Sequence, residues 1–302
     1  MPHLPAPQQR PDQADPADQA HLAHLAPSAV QPARRQWLQR SGRGLAAAGL
    51  AALAPGLLRA EPDHTGGDPL GSMQWPQIRR KFTGQEALQF NPEILVQGPP
   101  FAEDAMNVPL QVDARALLRQ GHDIDRIVVV ADRNPVQQIV SFMPQQARPV
   151  LALRFRLEQG SAVRALVRTR AGAWQVGQTW INAAGGGCTV PGATRTDGSW
   201  ARTLNQVQAR LFSNLGAGDG TRLRVRIMHP MDTGLVAGVP AFHLEELELR
   251  DAADRLWWRL ELHEPVAENP LLTFEFDQRP PGRLWLQGRD NNGNLIRHEV
   301  QA

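Results

Sequence analysis

Beyond residue 75, apolar and polar positions alternate mainly with a period of two. Residues 150–157 set Leu151, Leu153, Phe155 and Leu157 against Arg154 and Arg156. Residues 222–229 set Leu223, Val225 and Ile227 against Arg222, Arg224 and Arg226, and residues 256–262 place Leu256, Trp258, Leu260 and Leu262 on one side. Such alternation is that of a strand with one wet face. Strands are predicted at 108–112, 127–131, 139–142, 150–157, 161–169 and 174–181, separated by Gly, Pro, Asn or Asp signals. A second block follows at 222–229, 244–250, 256–262, 271–276, 283–287 and 295–300. Six short strands in about 100 residues is the spacing of an immunoglobulin-like sandwich, so the pattern predicts an all-β chain with two such domains, over 75–184 and 220–302. Trp257 and Trp258 are adjacent on one strand and therefore cannot both face a core. Their bland account is packing of the two sandwiches on each other.

Two segments have another period. Residues 75–82 read as a short helix. Trp200, Leu204, Val207 and Leu211 recur at i, i+4, i+7 and i+11, which predicts a linker helix of about four turns with its apolar stripe on a sandwich. Ahead of that linker, within the connector 185–219, stands Gly185-Gly186-Gly187-Cys188. Glycine carries the largest backbone entropy, and flexibility is the natural reason for three in a row. Fully extended, the residues from Asn182 to Cys188 reach about 20 Å, at 3.3–3.6 Å each. A thiol so mounted can enter another protein's pocket with covalent cargo. Its chemistry needs the thiolate, and its neighbours Gly187 and Thr189 are uncharged, so activation falls to a partner. From spacing alone, the same stretch reads equally well as an interdomain linker whose cysteine has no chemistry.

The 302 residues contain only this one cysteine. That excludes an intramolecular disulfide, a cysteine zinc or iron–sulfur cluster and a CxxCH haem site. Residues 1–32 are rich in Pro, Ala, Gln and Asp without a hydrophobic period, as in disordered extensions. Arg34 and Arg35 then precede Trp37-Leu38 and the mild apolar run 44–58, followed by Leu58-Arg59-Ala60. Basic region, short apolar region and small residue follow the order of an export signal, here of the twin-arginine kind, with residues 1–60 removed. The run of 15 residues is too short for a bilayer span, so stable membrane insertion is not expected. Cleavage leaves 26 basic and 27 acidic side chains, and a near-neutral protein gives no electrostatic reason to expect nucleic acid as partner. Export predicts a periplasmic, oxidising location for Cys188.

Three separated stretches of the second block, RIMHPMDTG at 226–234, ENPLLTFEF at 268–276 and DNNG at 290–293, resemble the Z subunit of the Sox sulfur carrier. In the first block, PFAEDAMNVP at 100–109, Arg133-Asn134-Pro135 and Gly186-Gly187-Cys188 resemble the Y subunit. The resemblance covers roughly residues 75–300. It implies a periplasmic carrier of the thiosulfate-oxidising system, with the Y-like and Z-like domains paired in one chain and Cys188 holding sulfur intermediates for partner enzymes. The fused form resembles SoxYZ-like carriers associated with quinoprotein alcohol dehydrogenases. Here the cysteine is internal, followed by Thr189-Val190-Pro191, whereas the family's arm ends the Y chain.

Other residues carry no chemistry on this reading. His229-Pro230-Met231 with His243 and His263 fits no compact metal motif and reads as turn or interface structure. Asn134-Pro135 and Asn269-Pro270 read as turns. Glu245-Glu246, Asp251 and Asp254 read as a solvated face, and no nucleophile elbow, phosphate loop or dinucleotide fingerprint is present. The sequence thus predicts a carrier without catalytic residues, metal or cofactor: Cys188 is the attachment point and Gly185, Gly186 and Gly187 provide its reach. The alternative is a docking module of a periplasmic quinoprotein dehydrogenase with the cysteine incidental.

Overall fold

A computed structural model describes residues 63–213 and 220–301. The export segment, including Arg34 and Arg35, lies outside the described residues. The first half comprises α1 (Trp75–Thr83), β1 (Leu88–Phe90), β2 (Leu95–Gln97), β3 (Phe101–Ala102), β4 (Val108–Asp113), α2 (Arg115–Arg119), β5 (Ile124–Ala131), β6 (Gln138–Met143), β7 (Val150–Phe155), β8 (Ser161–Thr169) and β9 (Trp174–Ala183). The connector holds α3 (Ala193–Thr196) and α4 (Trp200–Thr203). The second half comprises β10 (Val207–Ser213), β11 (Thr221–Ile227), β12 (Leu244–Asp251), β13 (Leu256–Leu262), β14 (Leu271–Phe276), β15 (Leu284–Asp290) and β16 (Leu295–Glu299). The chain is mostly β, as its alternation predicts.

The halves share both sheets. A ten-stranded sheet runs β1-β9-β8-β5-β6-β13-β12-β15-β16, with β3 also on β9, and a six-stranded sheet runs β10-β11-β14-β7-β4-β2. Antiparallel pairing of β6 with β13 joins the halves in the first, and β7 with β14 joins them in the second. The inward side chains of both sheets form one hydrophobic core from Ile94 to Val300. At the seam Phe274 of β14 stacks on Trp258 of β13 at 3.9 Å and tilts against Phe142 of β6 at 5.6 Å. Trp258 is in the core, while Trp257 is half-buried, edge-on to Phe276 at 5.7 Å, so both tryptophans pack intramolecularly.

Helix α1 covers the other face of the ten-stranded sheet. Pro76 starts it, Gly84 ends it at φ 60°, and Trp75 and Ile78 pack on Val128, Val130, Leu166 and Trp174. Arg164 beneath it donates to Asp68 and Asp132 and lies 4.4 Å from the Trp75 ring.

The predicted four-turn linker helix does not form. Only Trp200–Thr203 is helical, Asn205 takes a positive φ of 58°, and Val207–Ser213 pairs antiparallel with β11. Val207, Ala209 and Leu211 also satisfy a period of two, and the open edge of β11 gives the strand its hydrogen bonds. Tertiary pairing decided between the two periods.

Candidate functional site

After β9 the glycine arm folds inward. Gly185 and Gly186 take φ of 100° and 77°, a region that disfavours a side chain. The Gly186 and Gly187 amides donate to the carbonyls of Glu158 (2.9 Å) and Leu157 (3.3 Å). A Cβ at Gly187 would overlap the Ala105 carbonyl oxygen and sit 2.7 Å from that of Leu157. The triplet therefore serves turning and close approach, and the expected extended arm is corrected: Cys188 is only 1% exposed.

Its anchors come from both halves. The Cys188 amide donates to a Glu158 carboxylate oxygen at 3.0 Å, and the Thr189 hydroxyl donates to the same carboxylate at 3.2 Å. The Thr233 hydroxyl donates to the Cys188 carbonyl at 2.7 Å. The thiol lies 3.8 Å from the Arg156 carbonyl, a weak S–H···O contact. Burial, with the Glu158 carboxylate adding and Arg156 opposing, pushes the thiol pKa up to about 12. In this conformation the sulfur is protonated at neutral pH and is not a nucleophile.

Arg156 is the second correction. Alternation put it on a wet strand face with Arg154, yet β7 ends at Phe155 and Arg156 is 1% exposed beneath the arm. Its guanidinium donates only to carbonyls, those of Gly187 (3.4 Å), Val190 (3.2 Å) and Pro230 (3.5 Å), and its Nε has no partner. Burial pushes its pKa down, against the pull of Glu268, Cys188 and Asp232.

The resembling stretches 100–109, 133–135, 226–234 and 268–276 meet around this arm and the segment that follows it. Buried Asn134 donates to the Arg156 carbonyl at 2.8 Å and accepts from the Glu158 amide at 2.9 Å, so its turn also clamps the exit of β7. Ala105 accepts from the Leu157 amide at 2.8 Å. Glu268 accepts from the Ala193 and Thr194 amides at 2.8 Å each, and Asp232 accepts from Arg195 Nε at 2.9 Å. His229 is buried, its Nδ1 accepting from the Met231 amide at 3.1 Å, and burial lowers its pKa to about 4. It is a neutral turn residue. Among the described residues no group of three or more His, Cys, Asp or Glu side chains is placed to hold a metal ion.

Sequence reasoning missed Arg156, Glu158, Thr233 and Glu268. Thr233 and Glu268 sit inside the resembling stretches and were within reach. Arg156 and Glu158 follow a strand and carry no local signal, because their partner is the distant arm.

The sequence matches the family of the sulfur oxidation protein SoxY over residues 79–188 and that of the sulphur oxidation protein SoxZ over residues 212–301. The first match ends on Cys188. No curated protein matches the sequence. Among solved structures, the sulfur carrier protein SoxY from Chlorobium limicola f thiosulfatophilum is 18% identical over 35% of this chain and 88% of its own, with a TM-score of 0.30. A Thermotoga maritima protein assigned as a superoxide reductase is 13% identical over 34% of this chain and 89% of its own, with a TM-score of 0.26. On the two tandem family matches, the chain carries a SoxY domain followed by a SoxZ domain and belongs to the SoxYZ family in fused form.

Proposed function

We propose that the protein is a periplasmic covalent carrier that holds sulfur intermediates on Cys188 for partner enzymes and has no catalytic machinery of its own. The observation that carries this reading is the match of the SoxY family through Cys188, on an arm that is packed inward and held by hydrogen bonds to Glu158 and Thr233. The arm is shut in this conformation, so loading requires it to swing out, which breaks the Glu158 and Thr233 bonds and returns the thiol to water. Joining Cys188 to the sulfane sulfur of an anion such as thiosulfate forms an S–S bond. It releases the thiol proton to water and two electrons to a redox partner protein. Residues 1–60, with Arg34 and Arg35, serve as the twin-arginine export signal. Intact-mass measurement of protein from its native host should show sulfur adducts that disappear on reduction and in Cys188→Ala.

A second reading, a docking module of a quinoprotein dehydrogenase with an incidental cysteine, is favoured by the burial of Cys188. A Cys188→Ala strain growing like wild type on every sulfur and alcohol substrate would select it.

A further inference from the structure

The outer face of the six-stranded sheet is divided electrostatically. On one part Arg115, Arg148 and Arg222 are neutralised by Asp113, Glu275 and Asp277. On the other, Arg154, Arg210, Arg224 and Arg226 are exposed and, among the described residues, make no ion pair. Arg210 of β10 and Arg224 of β11 are directly opposed in the pairing register, and Arg226 is the next outward residue on β11. Like charges facing each other across antiparallel strands repel and are destabilising. A near-neutral chain that keeps four unpaired arginines together on one face concentrates positive potential there.

These four residues line an open groove of about 950 Å³. Val207, Leu271 and the 39%-exposed Phe212 provide apolar surface between them, and Ala193 and Thr194 connect the groove to the segment that follows Cys188. Glu268, the acid in the groove lining, is already occupied by the Ala193 and Thr194 amides.

We infer that this groove docks an acidic segment of a partner protein, with Arg154, Arg210, Arg224 and Arg226 facing its carboxylates. Concave shape and interspersed apolar surface fit a peptide segment better than a flat bilayer, and guanidinium groups pair carboxylates bidentately. The inference goes beyond the carrier reading, because it concerns the face a partner grips and not what Cys188 holds.

The test is fluorescence anisotropy of the full-length protein with a fluorescein-labelled glutamate-rich peptide at low and high salt. Binding should weaken with salt, fall about tenfold or more in R224E/R226E, and stay unchanged in R289E, on the other sheet. R210Q guards against misfolding: it removes one of the opposed charges and should bind more weakly at an unchanged or raised Tm. Absence of wild-type binding, equal binding by R224E/R226E or R210Q, or tighter binding of a DNA duplex or of phosphatidylglycerol vesicles overturns the inference. So does displacement of the peptide by inorganic sulfate at matching concentration, which would mark a small-anion site. Cys188→Ser should bind the peptide as wild type does, so loss of sulfur adducts and loss of peptide binding test the two readings separately.

Discussion

Arg164 and Arg156 are both buried arginines of the first half, eight residues apart, with opposite surroundings. Arg164 lies between the carboxylates of Asp68 and Asp132, at 2.7 and 2.8 Å, and also donates to Gln178. Burial alone would lower its pKa, but these bonds push it up. Arg156 faces only carbonyl oxygens, three of them at 3.2–3.5 Å, and its pKa is pushed down. The first arrangement is a closed ion cluster that fixes the segment before α1 to the sheet. The second is incomplete, and two of its three acceptors, Gly187 and Val190, belong to the cysteine arm. A buried cation held by carbonyls of a removable segment loses little when that segment leaves and water enters. One arginine is a permanent fastening, and the other lies beneath a latch.

The largest test of this contrast removes each cation in turn. Arg164→Met leaves two buried carboxylates face to face and should cost about 3–5 kcal/mol in urea unfolding. Arg156→Met should cost clearly less and should speed thiol labelling of Cys188. Equal losses in stability, with no change in labelling, would erase the distinction. The next effect is pH dependence. A thiol whose pKa is raised from about 9 to about 12 stabilises the closed arm fully below pH 9, and this stabilisation is lost as pH climbs toward 12. Three pKa units correspond to about 4 kcal/mol. Labelling of Cys188 should therefore keep accelerating above pH 9, where an exposed thiol levels off, and a plateau near pH 9 would show that the arm is already open.

A local steric test is smaller. Gly187→Ala overlaps the Ala105 carbonyl in the closed arm, so the ~1–3 kcal/mol typical of overpacking should raise labelling at neutral pH by roughly tenfold or more and lower Tm by at most several degrees. Unchanged labelling would mean that the arm leaves by another route. Glu158→Gln is the mildest change. It replaces a charged acceptor of the Cys188 amide by a neutral one, worth about 1 kcal/mol, so labelling should rise about fivefold.

Much of the molecule is written in local pattern. The alternation around Leu223, Val225 and Ile227 defines β11 with its arginines outward, as observed. The same rule fails at Arg156, because the strand stops one residue earlier and a segment more than 30 residues distant covers the side chain. Periodicity fails again at residues 200–211, where Val207 and Leu211 satisfy both helical and strand spacing and only the open edge of β11 chooses between them. Gly185, Gly186, Gly187 and Cys188 were legible as a special segment. Their composition suggests freedom, yet it equally suits a chain that must turn at positive φ and pass against backbone.

The sequence by itself determined the β character, the order of the two family domains and the singular cysteine, because alternation, motif and residue count are local properties of the chain. Only the tertiary structure decided that the halves share two continuous sheets and that the thiol is shut away over Arg156. Strand partners and burial depend on segments far apart in the chain, and no local window contains both sides of such a contact.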